Sequence, residues 1–126
     1  RDVNKLSAMV ARRDIREKRA VPVEQITKHV VELLENIQQN LFERALNYRK
    51  ENTRTVSSYA EFKEIINNHG GFISAHWDGS KEVEEKIKQE TKATVRCLPL
   101  EKNPEAGKCM VTGMPSAQRA LFAIAY

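Results

Sequence analysis

The chain has 126 residues, 40% of them apolar and 30% charged, with a formal net charge of +4. That balance excludes a disordered chain and leaves room for one ordinary domain or two small ones. The mild basic excess permits a nucleic-acid partner without requiring one. Two cysteines, Cys97 and Cys109, do not make a disulfide framework and read as reduced thiols of a cytoplasmic protein. No apolar run approaches the roughly 18 residues that a membrane span needs, so no membrane partner is expected. The chain opens on Arg1, within what reads as a strand, and this predicts a piece of a longer protein.

In chain order, Leu6–Ala11 is a short apolar strand, Asp14–Lys18 is a polar turn, and Arg19–Val21 is a return strand. A lone hairpin is marginal, so it should belong with further structure. Its cations Arg12, Arg13, Arg16, Lys18 and Arg19 are candidates for phosphate contact, with a solvated hairpin as the plainer reading. Pro22 then opens a long helix, since proline suits the first helical turn. Ile26, Val30, Leu33, Ile37, Leu41 and Ala45 recur at helical spacing, and Val31, Leu34, Phe42 and Leu46 widen the stripe. The helix is expected to reach about Asn52 and to span two packing units. Arg44 and Arg49 lie near its wet end and are further candidates for RNA contact, or for pairing with neighbouring Glu.

Thr53–Ser58 reads as a connector. Ser57 or Ser58 caps a second helix, Tyr59 to about Asn68, with Glu61 at capping-box spacing from Ser58, and the helix stops at His69-Gly70-Gly71. Phe72–Trp77 is a strand. Ser80 caps a third helix, Lys81–Lys92. Thr94–Leu100, Lys108–Thr112 and Ala120–Tyr126 are further strands, with a polar loop at 101–106. The fold class is therefore α+β: a strand hairpin, a long helix, then a small three- to four-stranded, mostly antiparallel sheet with flanking helices.

Little here points to catalysis. His29, His69 and His76 lie in no nucleophile motif, and Gly70-Gly71 is not a phosphate loop. The region Gly107–Thr112 begins as a metal knuckle would, but Thr112 stands where a second thiolate is needed. The best available donor set is Cys97, Cys109, Asp78 and His76. The plainer alternative makes both cysteines small buried hydrophobes.

Several segments together carry a family resemblance. They are Glu51-Asn52-Thr53, Gly71-Phe72-Ile73-Ser74-Ala75-His76-Trp77, Glu84–Thr91, Arg96-Cys97-Leu98-Pro99, Gly107-Lys108-Cys109 and the ending Leu121–Tyr126. In this order and spacing they resemble the C-terminal domain of prolyl-tRNA synthetases of the archaeal and eukaryotic-like class. Arg1-Asp2-Val3, Ala11-Arg12-Arg13-Asp14 and the long helix resemble the end of the same family's anticodon-binding domain. The resemblance implies two parts: 1–52, the end of the anticodon-binding domain, and 53–126, the C-terminal domain.

The resemblance also implies a parent enzyme, a class II ligase that joins proline to tRNA(Pro) with ATP and magnesium, in many cases as a homodimer. Its active site would lie upstream, so this chain holds no catalytic residue and no cofactor of its own. It would serve stability, tRNA contact and docking of the C-terminus, Tyr126, towards the catalytic domain. Many members hold zinc on Cys-x4-Cys and Cys-x2-Cys pairs. Those places match Asp78, Val83, Cys109 and Thr112, of which one is cysteine, so zinc is not carried over. Competing readings are a stand-alone RNA-binding module and a structural interaction domain. For RNA contact the first candidates are Arg12, Arg13, Arg16 and Lys18, followed by Arg44 and Arg49.

Overall fold

The computed structural model describes residues 6–100 and 105–125. The expectations for Arg1–Lys5, for 101–104 of the polar loop and for Tyr126 lie outside the described residues. The chain divides into two compact units, Arg1–Arg49 and Lys50–Tyr126.

In the first unit, β1 (Ser7–Ala11) and β2 (Lys18–Pro22) form the expected antiparallel hairpin, with Met9 opposite Ala20. Arg16 takes a left-handed φ of 58° at the turn, and the Arg12 N–H closes it on the Glu17 carbonyl at 2.8 Å. Pro22 does not open the α-helix. It ends β2 with extended backbone and leads into a single 3-10 turn, Val23–Gln25, before α1 (Ile26–Glu51). The lost turn shortens the helix to 26 residues, about 39 Å at 1.5 Å per residue. No α1 residue is fully buried. Ile26, Val30, Leu33 and Ile37 of the main stripe are half-buried, as is Leu46 of its flank, whereas Leu41 and Ala45 of the main stripe and Val31, Leu34 and Phe42 of the flank are exposed.

The second unit is built on a four-stranded sheet of order β3-β4-β8-β5. β3 (Thr53–Thr55) was expected as connector, but it pairs parallel with β4 (Phe72–His76). β8 (Arg119–Ile124) lies between β4 and β5 (Ala93–Cys97), antiparallel to both. Leu98–Leu100 does not extend β5. The expected strand Lys108–Thr112 is not in this sheet either. β6 (Gly107–Lys108) pairs with β7 (Pro115–Ser116) as a separate short ribbon, and 109–113 is turn.

Because side chains alternate along a strand, Ile73 and Ala75 of β4 share a face with Phe122 and Ala120 of β8. On that face lie α2 (Tyr59–Asn68), through Phe62 and Ile66, and α3 (Lys81–Thr91), through Val83 and Ile87. Phe62 and Phe122 meet edge to face at 5.4 Å. On the outer edge of the two helices Tyr59 donates to Glu90, while Lys63 pairs with Glu90 and covers the Tyr59 ring.

The local signals for α2 hold. Ser58 Oγ accepts from the Glu61 N–H at 3.2 Å, and Glu61 Oε2 in return accepts from the Ser57 N–H. Ser58→Ala is expected to lower stability by about 1 kcal/mol, read as a lower urea midpoint with unchanged m. Ser80 occupies the N-cap of α3, but its hydroxyl is turned away from the helix to Asp78. Gly71, at φ +81°, lies over the Asn52 carbonyl that receives the Phe72 N–H. A Cβ there would sit 2.5 Å from that oxygen, so glycine is what lets β4 start beside β3.

Candidate functional site

The hairpin turn of the first unit carries an open groove lined by Ala11, Arg12, Arg13, Arg16, Glu17 and Lys18. Four of the six cations expected to meet RNA are thus brought together. Arg44 and Arg49 are exposed on α1 and are not among the groove's described lining.

Arg12 differs from the other three. Its Nε and Nη2 grip both oxygens of Asp14, and its Nη1 donates to Asn36 Oδ1 at 2.7 Å. Asn40, one turn along from Asn36, donates to Asp14 Oδ2 at 2.7 Å. The pair is nearly closed off from solvent, and the Arg12 hydrogen bond, followed by that from Asn40, holds the Asp14 carboxyl far below the usual carboxylate range. Arg12 therefore fixes the turn on α1 rather than offering a free charge, and Arg13, Arg16 and Lys18 present the exposed charges of the groove.

In the second unit, His76 faces away from the helices, on the same sheet face as Arg119. The Ser116 hydroxyl donates to the Gln118 carbonyl at 2.9 Å, so at His76 Nδ1, 3.1 Å away, it accepts. His76 Nε2 lies 3.6 Å from Glu105 Oε1. Glu105 is gripped by both arms of Arg119, which hold its carboxyl below its ordinary range. The sequence of groups imitates a Ser–His–acid triad. It cannot work as one, because Ser116 is buried, its single proton is spent on Gln118, and the carboxylate is neutralised by Arg119. β6 crosses directly over the imidazole: a Cβ on Gly107 would lie 2.2 Å from Nε2. This is a structural network that sequence reasoning missed. Its one local signal is an arginine at the start of an otherwise apolar strand.

The four positions that the resemblance matches to zinc ligands fall into two classes. Asp78, Cys109 and Thr112 converge. Thr112 Oγ1 donates to Asp78 Oδ2 at 2.7 Å, and the N–H and hydroxyl of Ser80 donate to Asp78 Oδ1 at 3.0 and 2.7 Å. Desolvation pushes the Asp78 carboxyl up. The hydrogen bonds from Thr112, Ser80 and Cys109 outweigh it and hold the group at about 2. Val83, the fourth position, is buried in the core and offers no donor atom. The residues present do not fit a zinc ion: two of the four positions have no thiolate, imidazole or carboxylate, and the one carboxylate is already saturated. Among the described residues no group of three or more His, Cys, Asp or Glu is placed to hold a metal. His76 is committed to Ser116 and Glu105. Cys97 is exposed on β5, not buried as the plainer alternative had it, while Cys109 is buried.

Comparison with known proteins decides what these units belong to. The family described as "Prolyl-tRNA synthetase, C-terminal" matches residues 59–126. The chain belongs to the prolyl-tRNA synthetase C-terminal family. All 126 residues of this family member align at 57% identity with the proline–tRNA ligase of Porphyromonas gingivalis, covering 25% of that protein. The proline–tRNA ligase of Cytophaga hutchinsonii is 51% identical over the same span, which is 26% of its length. The fold matches the crystal structure of prolyl-tRNA synthetase from Cryptosporidium parvum, complexed with L-proline and AMP, with a TM-score of 0.90 at 25% identity. That match covers 99% of this chain and 27% of that one. The chain thus spans about a quarter of the length of the prolyl-tRNA synthetases it matches.

Proposed function

We propose that this chain is the C-terminal quarter of a proline–tRNA ligase of the archaeal and eukaryotic-like class, which joins proline to tRNA(Pro) with ATP and magnesium. The observation that carries the reading is the alignment of all 126 residues with proline–tRNA ligases four times as long. Residues 1–52 are the end of the anticodon-binding domain, and 53–126 are a C-terminal domain of the zinc-binding type whose metal site has degenerated. The part is non-catalytic: chemistry on proline and ATP belongs to an upstream domain. Its roles are stability, tRNA contact and placement of Tyr126 towards the catalytic domain, within a homodimeric cytoplasmic enzyme. The exposure of Val31, Leu34 and Phe42 on α1 supports a parent of this kind, because further chain of the same protein would cover them.

The tRNA contact lies in the groove of the hairpin turn. Arg13, Arg16 and Lys18 are spaced around a concave surface that Arg12 and Asp14 hold in shape, as backbone phosphates require of a positioning surface. Replacing Arg13, Arg16 and Lys18 together by Glu in the full-length enzyme is expected to weaken tRNA(Pro) binding. It should also flatten the slope of log K against log salt by about 2 to 3, since each lost phosphate contact removes a slope of roughly 0.7–0.9. Proline-dependent ATP–pyrophosphate exchange, which needs no tRNA, should stay at the wild-type rate. An unchanged salt slope would remove the groove from the tRNA interface and favour a purely structural domain.

A further inference from the structure

β5 stops short of where its sequence would carry it. Its pairing with β8 ends at Cys97, opposite Leu121, after a register shift between Val95 and Cys97 of the kind that ends regular pairing. The next residues, Leu98, Pro99 and Leu100, lie outside the ladder and are exposed, and Cys97 before them is exposed as well. Leu98 is 47% exposed. Leu100, at 98%, is the most exposed large apolar side chain among the described residues. Single apolar side chains on a surface need no explanation, but a run of four is a defect unless it serves a function. We infer that Cys97-Leu98-Pro99-Leu100 is a docking loop, whose two leucines enter an apolar pocket on the part of the same enzyme that precedes residue 1.

Three observations favour that occupant. First, the loop is built stiff. Proline has a fixed φ and no N–H to add to a ladder, and it holds the residue before it in extended backbone. Leu98 and Leu100 flank Pro99 at the spacing that puts side chains on one side of an extended chain. Little conformational freedom is lost when such a segment docks, so more of the leucine burial remains as binding energy. Secondly, the chemistry suits a protein surface rather than RNA. Residues 97–100 carry no charge for a phosphate and no aromatic ring for a base. Thirdly, the rest of the enzyme is large enough to supply the pocket. The relatives that align with all 126 residues are proteins of which this chain covers 25% and 26%, and the matching family is a C-terminal one. The inference therefore rests on the reading of the chain as the C-terminal quarter of a proline–tRNA ligase.

The loop carries its own probe. Cys97 and Cys109 fall in separate tryptic peptides, 97–102 and 109–119, so the alkylation of each can be read by mass spectrometry from the full-length enzyme. Cys109 is buried and reports whether the domain is folded. In the native enzyme Cys97 is expected to react with iodoacetamide about tenfold more slowly than in urea, or slower still, since the burial of two leucines holds the loop docked by at least that factor. Leu98→Ser combined with Leu100→Ser should bring Cys97 close to its unfolded rate and leave Cys109 protected. Both positions are exposed, where substitution leaves the fold intact, and the wild-type rate decides without the variant. If Cys97 reacts at its unfolded rate in native enzyme that catalyses proline-dependent ATP–pyrophosphate exchange, the docking loop alone is overturned. A full-length protein with no such exchange would overturn the parent reading, and the docking loop with it. Protection that appears only at high protein concentration would assign the loop to a second copy, and protection that needs added tRNA would assign it to RNA. Protection that the double variant retains would show that the leucines do not make the contact. Each of these three results overturns the inference.

Discussion

Phe122→Ala is expected to cost about 4 kcal/mol, the largest single loss in the chain. Phe122 has no solvent exposure and sits at the centre of the sheet, flanked in register by Ile73 of β4 and Val95 of β5. Its ring meets Phe62 edge to face, with the planes at 84°. Truncation to alanine removes the transfer energy of the ring and leaves a void. The walls of that void are two paired strands and a capped helix, none of which can collapse inward freely, and such sites give losses of about 3–5 kcal/mol. The aromatic pair contributes about 1 kcal/mol of this. Urea unfolding followed by Trp77 fluorescence at pH 7 measures it. Phe122→Leu, which fills most of the space, should lose less than half as much, and it keeps the comparison readable if the alanine variant does not fold. A loss below 2 kcal/mol for alanine would mean that the sheet relaxes into the void.

This core was legible because its signals are local. Ser58 and Glu61 mark the start of α2, Gly70-Gly71 marks its end, and the spacing of Val83 and Ile87 marks the inner face of α3. The apolar stretch of β8 was equally plain, but not its place between β4 and β5. That position depends on pairing partners more than 40 residues away along β4, and no local pattern encodes it. β3 was missed for a related reason. Thr53-Arg54-Thr55 is polar and only three residues long, and it becomes a strand because Gly71 lets the backbone of β4 approach Asn52. On the long helix, periodicity alone could not tell which flank of a wide apolar stripe would be covered. Leu33 and Ile37 are half-buried, while Leu34 and Phe42 stay open.

The candidate sites followed the same division. The clustering of Arg12, Arg13, Arg16 and Lys18 was readable from their nearness in sequence. The different state of Arg12 was not read, although Asp14 two residues away was a visible partner. Its other partners, Asn36 and Asn40, lie on α1 and only folding brings them near. At the knuckle, sequence comparison by position named Asp78, Cys109 and Thr112 among four matched places. What it could not supply was the direction of the hydrogen bonds that make a carboxylate the centre of the group.

Arg119→Met is expected to cost about 3 kcal/mol at pH 7, the second largest loss. The guanidinium joins three segments. Nη1 donates to the Val56 carbonyl at 2.8 Å and reaches the Ser74 carbonyl at 3.4 Å, while Nε and Nη2 hold Glu105. Val56 is itself part of the core and its N–H is bound to Ser74, so Arg119 closes the corner where β3 passes into α2. Methionine keeps the volume of the stem but leaves the Val56 carbonyl without its partner and Glu105 without its counter-charge. Bonds from a charged donor contribute about 1.5–3 kcal/mol each when their partner is left stranded. The ion pair adds less, because Glu105 is more than half exposed. Glu105→Gln separates the two contributions: it removes the charge while Arg119 still serves the carbonyls, and it should lose well under half as much. The pH dependence gives a second readout. Arg119 lowers the folded-state affinity of Glu105 for a proton relative to its ordinary value of 4.5. This part of the stability is therefore complete above that value and is lost as pH falls through the folded-state value. The difference between wild type and Glu105→Gln should be constant from pH 6 to 8 and shrink below pH 4, whereas the carbonyl part of the Arg119→Met loss should persist there. If both differences vanished together in acid, Arg119 would act on Glu105 alone and the corner at Val56 would be held by the backbone.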